Sequence, residues 1–233
     1  VFWTFAEAQA HTGGQITISG AKGHHLARVL RVKTGEPGVI VAGGRERVVE
    51  VVEVKGSSVV TRVLEDRPIG GEPAVSITLW QAVLPNPDFD TVVENTTGVG
   101  IHRIVAIQAS RSIARPAPQR VRRWQSIATA AAEQSHRGQV PVMLGPMPLP
   151  EALAEAEKHS HLLVLHPAAS QPLSGQVEAA RSYTIAVGPE GGWTEAELSM
   201  MHEHGGIAVT LGRRVLRARL AAVVATAILV QQS

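Results

Sequence analysis

The sequence predicts an α/β protein: a largely parallel sheet flanked by helices over residues 74–233, preceded by a small β-barrel with one helix over residues 1–68. Three observations carry this. From Val75 onward, short apolar runs alternate with segments of helical spacing, the pattern of strand–helix–strand units. Before that point the chain is divided into Gly-bounded, valine-rich stretches of strand character. Between the two parts lies Asp66-Arg-Pro-Ile-Gly-Gly-Glu-Pro73, rich in residues that interrupt regular structure.

Composition bounds the function. At 233 residues the chain can bury a substantial core, as one large domain or two small ones, and 44% hydrophobic content fits a globular protein. Only 3% of residues are aromatic, which argues against base stacking as the main mode of recognition. Net charge is +2, but ten histidines and a pI near 9.4 leave room for basic patches on selected faces. The absence of cysteine excludes disulfides, thiolate metal sites and cysteine nucleophiles. No apolar run reaches the ~20 residues of a membrane span. No charged-then-apolar leader opens the sequence, so a cytoplasmic location is the default expectation.

In the first part, Ala21–Val32 has helical spacing, with Leu26, Val29 and Leu30 on one face and Lys22, His25, Arg28 and Arg31 elsewhere. Such a basic face is either simply solvated or a contact for an anionic partner. Strands are expected at Val39–Val41, Arg47–Val54 and Ser58–Leu64, the middle one alternating roughly as Val49-Glu-Val-Val-Glu-Val. In the second part, strand Val75–Val83 leads to a helix around Phe89–Thr97 and strand Ile104–Gln108. A helix over Gln119–Gln134, a short strand Val140–Leu144, helix Leu149–Lys158 and strand His161–His166 follow.

The last fifty residues hold the densest signal. The apolar run Tyr183–Val187 ends in Gly188, Pro189, Gly191 and Gly192, a turn with almost no side-chain bulk, where a ligand can approach the main chain. Thr194 and Glu197 form a capping-box pattern that starts a helix. A second such unit follows: strand Ile207–Leu211, Gly212, the basic loop Arg213-Arg-Val-Leu-Arg217 and helix Ala218–Val230. That helix is apolar nearly all round and is therefore expected to be buried. Two glycine loops at the carboxyl ends of adjacent strands point to a ligand cleft, although glycines also serve plain turns. Neither loop has Gly-x-Gly-x-x-Gly or a Gly-Lys-Ser/Thr ending, so neither nucleotide fingerprint fits. No serine sits in a Gly-x-Ser-x-Gly elbow. The pairs His24-His25, His159/His161 and His202/His204 lack the spacing of a zinc helix, and no catalytic metal is expected.

The run Val187-Gly-Pro-Glu-Gly-Gly-Trp-Thr-Glu-Ala-Glu-Leu198, followed by Leu211-Gly-Arg-Arg-Val-Leu-Arg217, resembles the signature of the ribosomal RNA small-subunit methyltransferase E family, of the SPOUT class of knotted methyltransferases. The resemblance extends in order through Leu26-Ala-Arg-Val-Leu-Arg31, Ser110-Arg-Ser112, Glu133-Gln-Ser135 and Leu165-His-Pro167, so it covers nearly the whole chain. It implies a PUA-like RNA-binding barrel at the amino terminus and a carboxy-terminal trefoil knot, a rare topology that no periodicity could suggest. It implies S-adenosylmethionine as cofactor, bent between the loops after three neighbouring strands. The residues concerned are Leu165, His166, Gly188, Pro189, Glu190, Gly192, Leu211, Gly212, Val215 and Leu216. Valine at Gly188 or Gly212 is expected to fill that pocket. Ribosomal RNA or the small ribosomal subunit is the implied substrate, with N3 of a uridine as methyl acceptor and a homodimer as the working form. Arg214 and Arg217, flanking the pocket, are the candidates to stabilise charge on the uracil carbonyls, since a guanidinium stays ionised and offers several donors. His25, Arg28 and Arg31, with Arg111, Glu133, Gln134 and Arg137 near the same cleft, are implied to position RNA or brace the site.

The sequence departs from the family pattern at the substrate side. Where the family usually reads Thr-Glu-Thr-Ala after the arginine, this chain reads Ala218-Arg-Leu-Ala221, losing a helix-start hydroxyl worth ~1 kcal/mol if it is a cap. Arg213 stands in place of a usual proline, Asn86 and Phe89 in place of basic residues, and Gly98 in place of a glutamate. An active enzyme with a shifted substrate, a paralogue that binds RNA or cofactor without turnover, and compensated drift all fit. Arg217 and Arg219 at one junction would repel by roughly 3 kcal/mol at ~6 Å and an effective dielectric near 20. The junction is therefore expected to meet a phosphate or carboxylate from RNA or from a partner subunit, unless Arg219 points into water.

Overall fold

A computed structural model describes residues 1–6, 14–117, 119–156, 160–177 and 182–232. His159 and the last residues of the expected helix Leu149–Lys158 lie outside the described residues. The chain divides into two units, Val1–Glu72 with Glu133–Gly138, and Pro73–Ala132 with Gln139–Ser233.

In the first unit a mixed five-stranded sheet has the order β1-β3-β4-β5-β2, with β1 Phe2–Phe5, β2 Gln15–Ile18, β3 Pro37–Ala42, β4 Arg45–Lys55 and β5 Ser58–Pro68. Strands β1 and β2 escape the sequence reading because each is four residues long, and β1 alternates a buried Phe2 with a buried polar Thr4. β5 runs on through Asp66–Pro68, part of the expected linker, because Arg45–Arg47 of β4 pair with it there. Register shifts at Val48/Val49 and Val51/Glu53 re-phase β4, so that Val49 and Val51 face the core while Val52 is exposed. The core gathers Phe2, Ile18, Leu26, Ile40, Val49, Val51 and Val59.

The expected helix over Ala21–Val32 is instead a short α1, Gly20–His24, continued by a π-helical turn His25–Leu30 that Arg31 ends in the left-handed region (φ 55°). Leu26 is buried, but Val29 and Leu30 are 60% and 51% exposed. The i→i+5 winding rotates less per residue than an α-helix, so Val29, three residues on, no longer returns to the face of Leu26.

The second unit is a six-stranded sheet of order β11-β9-β10-β6-β7-β8 in which every pairing is parallel. Its strands are β6 Ser76–Ala82, β7 Arg103–Gln108, β8 Val142–Pro148, β9 His161–Leu165, β10 Ser182–Val187 and β11 Ile207–Val209. Its helices are α2 Asp88–Val99, α3 Arg120–Gln134, whose last two residues count with the first unit, α4 Leu149–Ala154, α5 Glu195–Glu203 and α6 Ala218–Gln232. A parallel sheet needs apolar cover on both faces. Here Ile77, Leu79, Ile104 and Ala106 join one core with Phe89, Trp124 and Leu229, while Trp80, Ala82, Val105 and Ile107 join the other with Leu149, Leu153 and Met201.

Three expectations change. β8 starts two residues later and runs through Gly145-Pro146, because a register shift opposite Val105/Ile107 absorbs residues that otherwise break a strand. β10 and β11 are not adjacent: β9 lies between them and pairs with both. Helix α6 is covered on one side only. Ala222, Ala225, Thr226 and Leu229 are fully buried, but Leu220 is 49% exposed and Val223, Val224, Ala227 and Ile228 are half-buried. One apolar stripe suffices to seal the chain's own core, so all-round apolarity has left a second stripe half-exposed.

Candidate functional site

Strands β9, β10 and β11 end at the same edge of the sheet, and the loops that follow them enclose a cavity of about 620 Å³. The carboxyl ends of parallel strands are where such sheets bind ligands. Leu165, His166, Gly188, Pro189, Glu190, Gly192, Leu211, Val215 and Leu216 line the cavity, together with Trp193, Glu195, Thr210 and Ala221. Gly212 does not line it. No atom lies within 4 Å of where its side chain would begin, and what requires glycine there is its φ of +104°. Gly188 is different: a Cβ would sit 3.2 Å from Nε1 and 3.3 Å from the backbone nitrogen of Trp193.

Each loop is held by its own polar contacts. His166 N donates to the Val209 carbonyl (2.9 Å), tying the loop after β9 to the end of β11. The Ala168 amide donates to Nδ1 of His166 (3.3 Å). Beyond β11, Leu173 N donates to the Thr210 carbonyl (2.9 Å) and Thr210 N to the Gln171 carbonyl (2.8 Å). The Thr210 hydroxyl accepts from Gly212 N (3.2 Å) and donates to the Gly212 carbonyl (3.1 Å), setting the turn into the basic loop.

The loop after β10 closes onto α5 through the capping box read from sequence. Thr194 Oγ1 accepts from Glu197 N (3.2 Å), while Glu197 Oε2 accepts from Thr194 N (2.8 Å) and its hydroxyl (2.9 Å). The other oxygen of Glu197 accepts from Ser110 N (2.8 Å), 87 residues away. Burial alone would raise this carboxyl, but the hydrogen bonds from Thr194 and Ser110 together outweigh it and hold it below the ordinary glutamate range.

Charge is mixed around the cavity, with Arg111, Arg214 and Arg217 on its lining and Glu190 and Glu195 opposing them in sign. Arg214 and Arg217 are exposed, and neither guanidinium has a partner among the described residues. Arg111 is engaged: its Nη1 donates to the carbonyls of Gly191 (2.9 Å) and Trp193 (3.3 Å). Arg219 corrects the expectation of an outside anion. Its Nη1 donates to Asp88 Oδ1 at 2.7 Å, a carboxylate of the same chain in the first turn of α2. The Arg217 carbonyl accepts from Leu220 and Ala221 (both 2.9 Å), so Arg217 occupies the cap position and Ala218 is the first helical residue, not a lost cap.

Glu133, Gln134 and Arg137 belong to the first unit and do not line the cavity. Glu133 accepts from Thr4 Oγ1 (2.9 Å), Phe5 N (3.0 Å) and the Lys22 ammonium. Arg137 is 6% exposed, paired with Glu72, and its carbonyl accepts from Trp3 Nε1 (2.9 Å). Both therefore brace the first unit. Gln134 is exposed, as are His25, Arg28 and Arg31 on the π-helical turn. Sequence reasoning missed Asp88, Glu195, Trp193 and Thr210. Trp193 lay inside the quoted motif, whereas nothing local marks Asp88 as the partner of a residue 131 positions later. Among the described residues no group of three or more His, Asp or Glu is placed to hold a metal, and no helix is long and apolar enough to cross a membrane.

The sequence pattern of the RNA methyltransferase domain family matches residues 71–230, the unit that carries the cavity. The ribosomal RNA small subunit methyltransferase E of Mycobacterium bovis is 32% identical, the match covering 95% of this chain and 88% of that protein. Its counterpart from a Synechocystis strain is 30% identical, over 91% of this chain and 71% of that one. Among solved structures, the ribosomal RNA small subunit methyltransferase E of Neisseria gonorrhoeae, bound to S-adenosyl methionine, superposes with a TM-score of 0.89 at 27% identity, covering 97% of this chain and 95% of that one. With the domain pattern, whole-length identity and the fold all in agreement, this chain belongs to the ribosomal RNA small subunit methyltransferase E family.

Proposed function

We propose that the chain transfers the methyl group of S-adenosylmethionine to N3 of a uridine in small-subunit ribosomal RNA. The observation that supports this most is the cavity at the ends of β9, β10 and β11, whose volume of about 620 Å³ is that of a cofactor pocket. Its lining suits the cofactor. Leu165, Leu211 and Leu216 offer apolar cover for a base, Gly188 and Gly192 bring the main chain close, and the carboxylates of Glu190 and Glu195 match a cationic ligand. When bound, the cofactor supplies an electrophilic methyl carbon. The protein's own task is to align N3 with it and to favour the deprotonated ring. Arg214 and Arg217, which have no partner among the described residues at the lining, are the groups we assign to the uracil carbonyl oxygens, where negative charge grows as the N3 proton leaves.

In this reading residues 1–68 form a PUA-like RNA-binding module that presents His25, Arg28 and Arg31, and residues 74–233 a SPOUT domain with a trefoil knot. The half-exposed apolar stripe of α6, with Leu220 at its edge, supports a homodimer. A cytoplasmic location goes with a ribosomal substrate. The intrachain Arg219–Asp88 pair favours compensated drift over loss of activity, because it absorbs the exchange of charge at the helix start.

The test is methyl transfer from labelled cofactor to small ribosomal subunits lacking the modification. Label at uridine N3 supports the proposal, and label elsewhere keeps the enzyme but discards the substrate. Retention of RNA without label favours a binding module. Calorimetry in which folded protein fails to bind S-adenosylmethionine overturns the pocket assignment.

A further inference from the structure

Two loops at the carboxyl edge of the second unit's sheet are laced together beside the cavity. In the sheet, β6 separates β7 from β10, so the segment after β7 and the glycine loop after β10 have no strand pairing in common. Two side chains join them, one from the loop after β7 and one from the helix that follows the glycine loop. Arg111, after β7, donates to the carbonyls of Gly191 and Trp193, and Gly191 lets it come close, since a Cβ there would lie 3.3 Å from that of Arg111. Glu197, from the first turn of α5, accepts from Ser110 N in return. Glu197 is 3% exposed and satisfies three donors, one on the far loop and two on Thr194. Without it, the amides of Ser110 and Thr194 lose this acceptor.

From this geometry we propose that Glu197 is a positioning residue for the ligand: with Arg111 it fixes the shape of the Gly188–Trp193 loop by pinning it to residues 109–112, beyond its role as a helix cap. The proposal rests on the methyl-donor reading for the identity of the ligand but not for the lacing itself. A capping residue and a positioning residue can be told apart, because Thr194 belongs only to the cap and does not line the cavity.

The experiment compares Glu197→Gln with Thr194→Ala in the full chain. Calorimetry measures S-adenosylmethionine binding, steady-state kinetics separate KM from kcat, and amide hydrogen exchange follows residues 109–115 and 188–193. Glu197→Gln is expected to raise the donor Kd and KM about tenfold, the loss of one charge-assisted hydrogen bond, with kcat changed less than about twofold. Exchange should accelerate in both segments. Thr194→Ala is expected to lower the melting temperature yet leave the donor Kd within about twofold and exchange over 109–115 unchanged. Equal weakening of donor binding by both variants overturns the proposal, since capping then explains everything; so does wild-type affinity in Glu197→Gln. If Glu197→Gln does not fold, Arg111→Ala, exposed and on the other loop, must accelerate exchange over 188–193 without ligand. Unchanged exchange there overturns the lacing. If the wild-type protein binds no S-adenosylmethionine, the functional reading fails, and the exchange results alone decide for or against the lacing.

Discussion

Exchanging Asp88 and Arg219 tests whether their pair anchors the start of α6. The two groups meet at 2.7 Å with side chains 27% and 42% exposed. Unit charges about 4 Å apart attract by about 1 kcal/mol in bulk water and about 4 kcal/mol at an effective dielectric of 20. This much exposure and the cost of ordering an arginine put the net value near the lower figure, about 1 kcal/mol. Helix dipoles add a second contribution. Asp88 opens α2, where an acid gains about 0.5 kcal/mol, whereas Arg219 stands in the first turn of α6, where a base loses a similar amount. Asp88→Asn should therefore cost about 1–1.5 kcal/mol. Asp88→Arg should cost about 2–3 kcal/mol, because it puts two guanidiniums together at a helix start. The double exchange, Asp88→Arg with Arg219→Asp, restores the pair with the same combined reach and inverts both dipole effects, so their sum is nearly unchanged. Its stability should return to within about 0.5 kcal/mol of the wild type. Urea unfolding of the wild type, Asp88→Arg, Arg219→Asp and the double variant closes the cycle, and each kcal/mol corresponds to roughly 2–4 °C in melting temperature for a chain of this size. A coupling energy below about 0.3 kcal/mol, or a double variant as unstable as the sum of the singles, would refute the anchoring.

Thr194→Ala removes the α5 cap and should cost about 1 kcal/mol, read as a lower urea midpoint at unchanged slope. Gly212→Ala forces a side chain onto a φ of +104° in open space. It should destabilise by about 1–3 kcal/mol through backbone strain, not through filling the cavity, and binding calorimetry on the folded fraction separates the two. Gly188→Val should act inside the site, pushing Trp193 aside and weakening donor affinity with a smaller change in melting temperature. Because the Glu197 carboxyl is held below its unfolded value, its contribution is complete above the unfolded pKa and is lost as pH falls through the folded one. Glu197→Gln should therefore flatten the acid side of the stability profile, and an unchanged acid limb would contradict the hydrogen bonds from Thr194 and Ser110.

Features that neighbouring residues settle between themselves can be read from the order of residues alone. The capping box at Thr194 and Glu197 and the turn at Gly188–Gly192 were legible, as were most strands of the parallel sheet. Each depends on hydrogen bonds or side-chain alternation within a few positions. The family was legible for a related reason: its motifs are contiguous, and they form the loops that build the cavity. Strand order was not legible, since placing β9 between β10 and β11 depends on how the intervening chain crosses the sheet. Nor was the exposure of Val29, because a change of helical winding alters the face on which a residue stands without altering its spacing in sequence. The pairs that give the site its electrostatics, Arg219 with Asp88 and Glu197 with Ser110, join positions 131 and 87 residues apart. Only the tertiary structure decided them, because a hydrogen bond reaches about 3 Å while the chain between its ends can take any course.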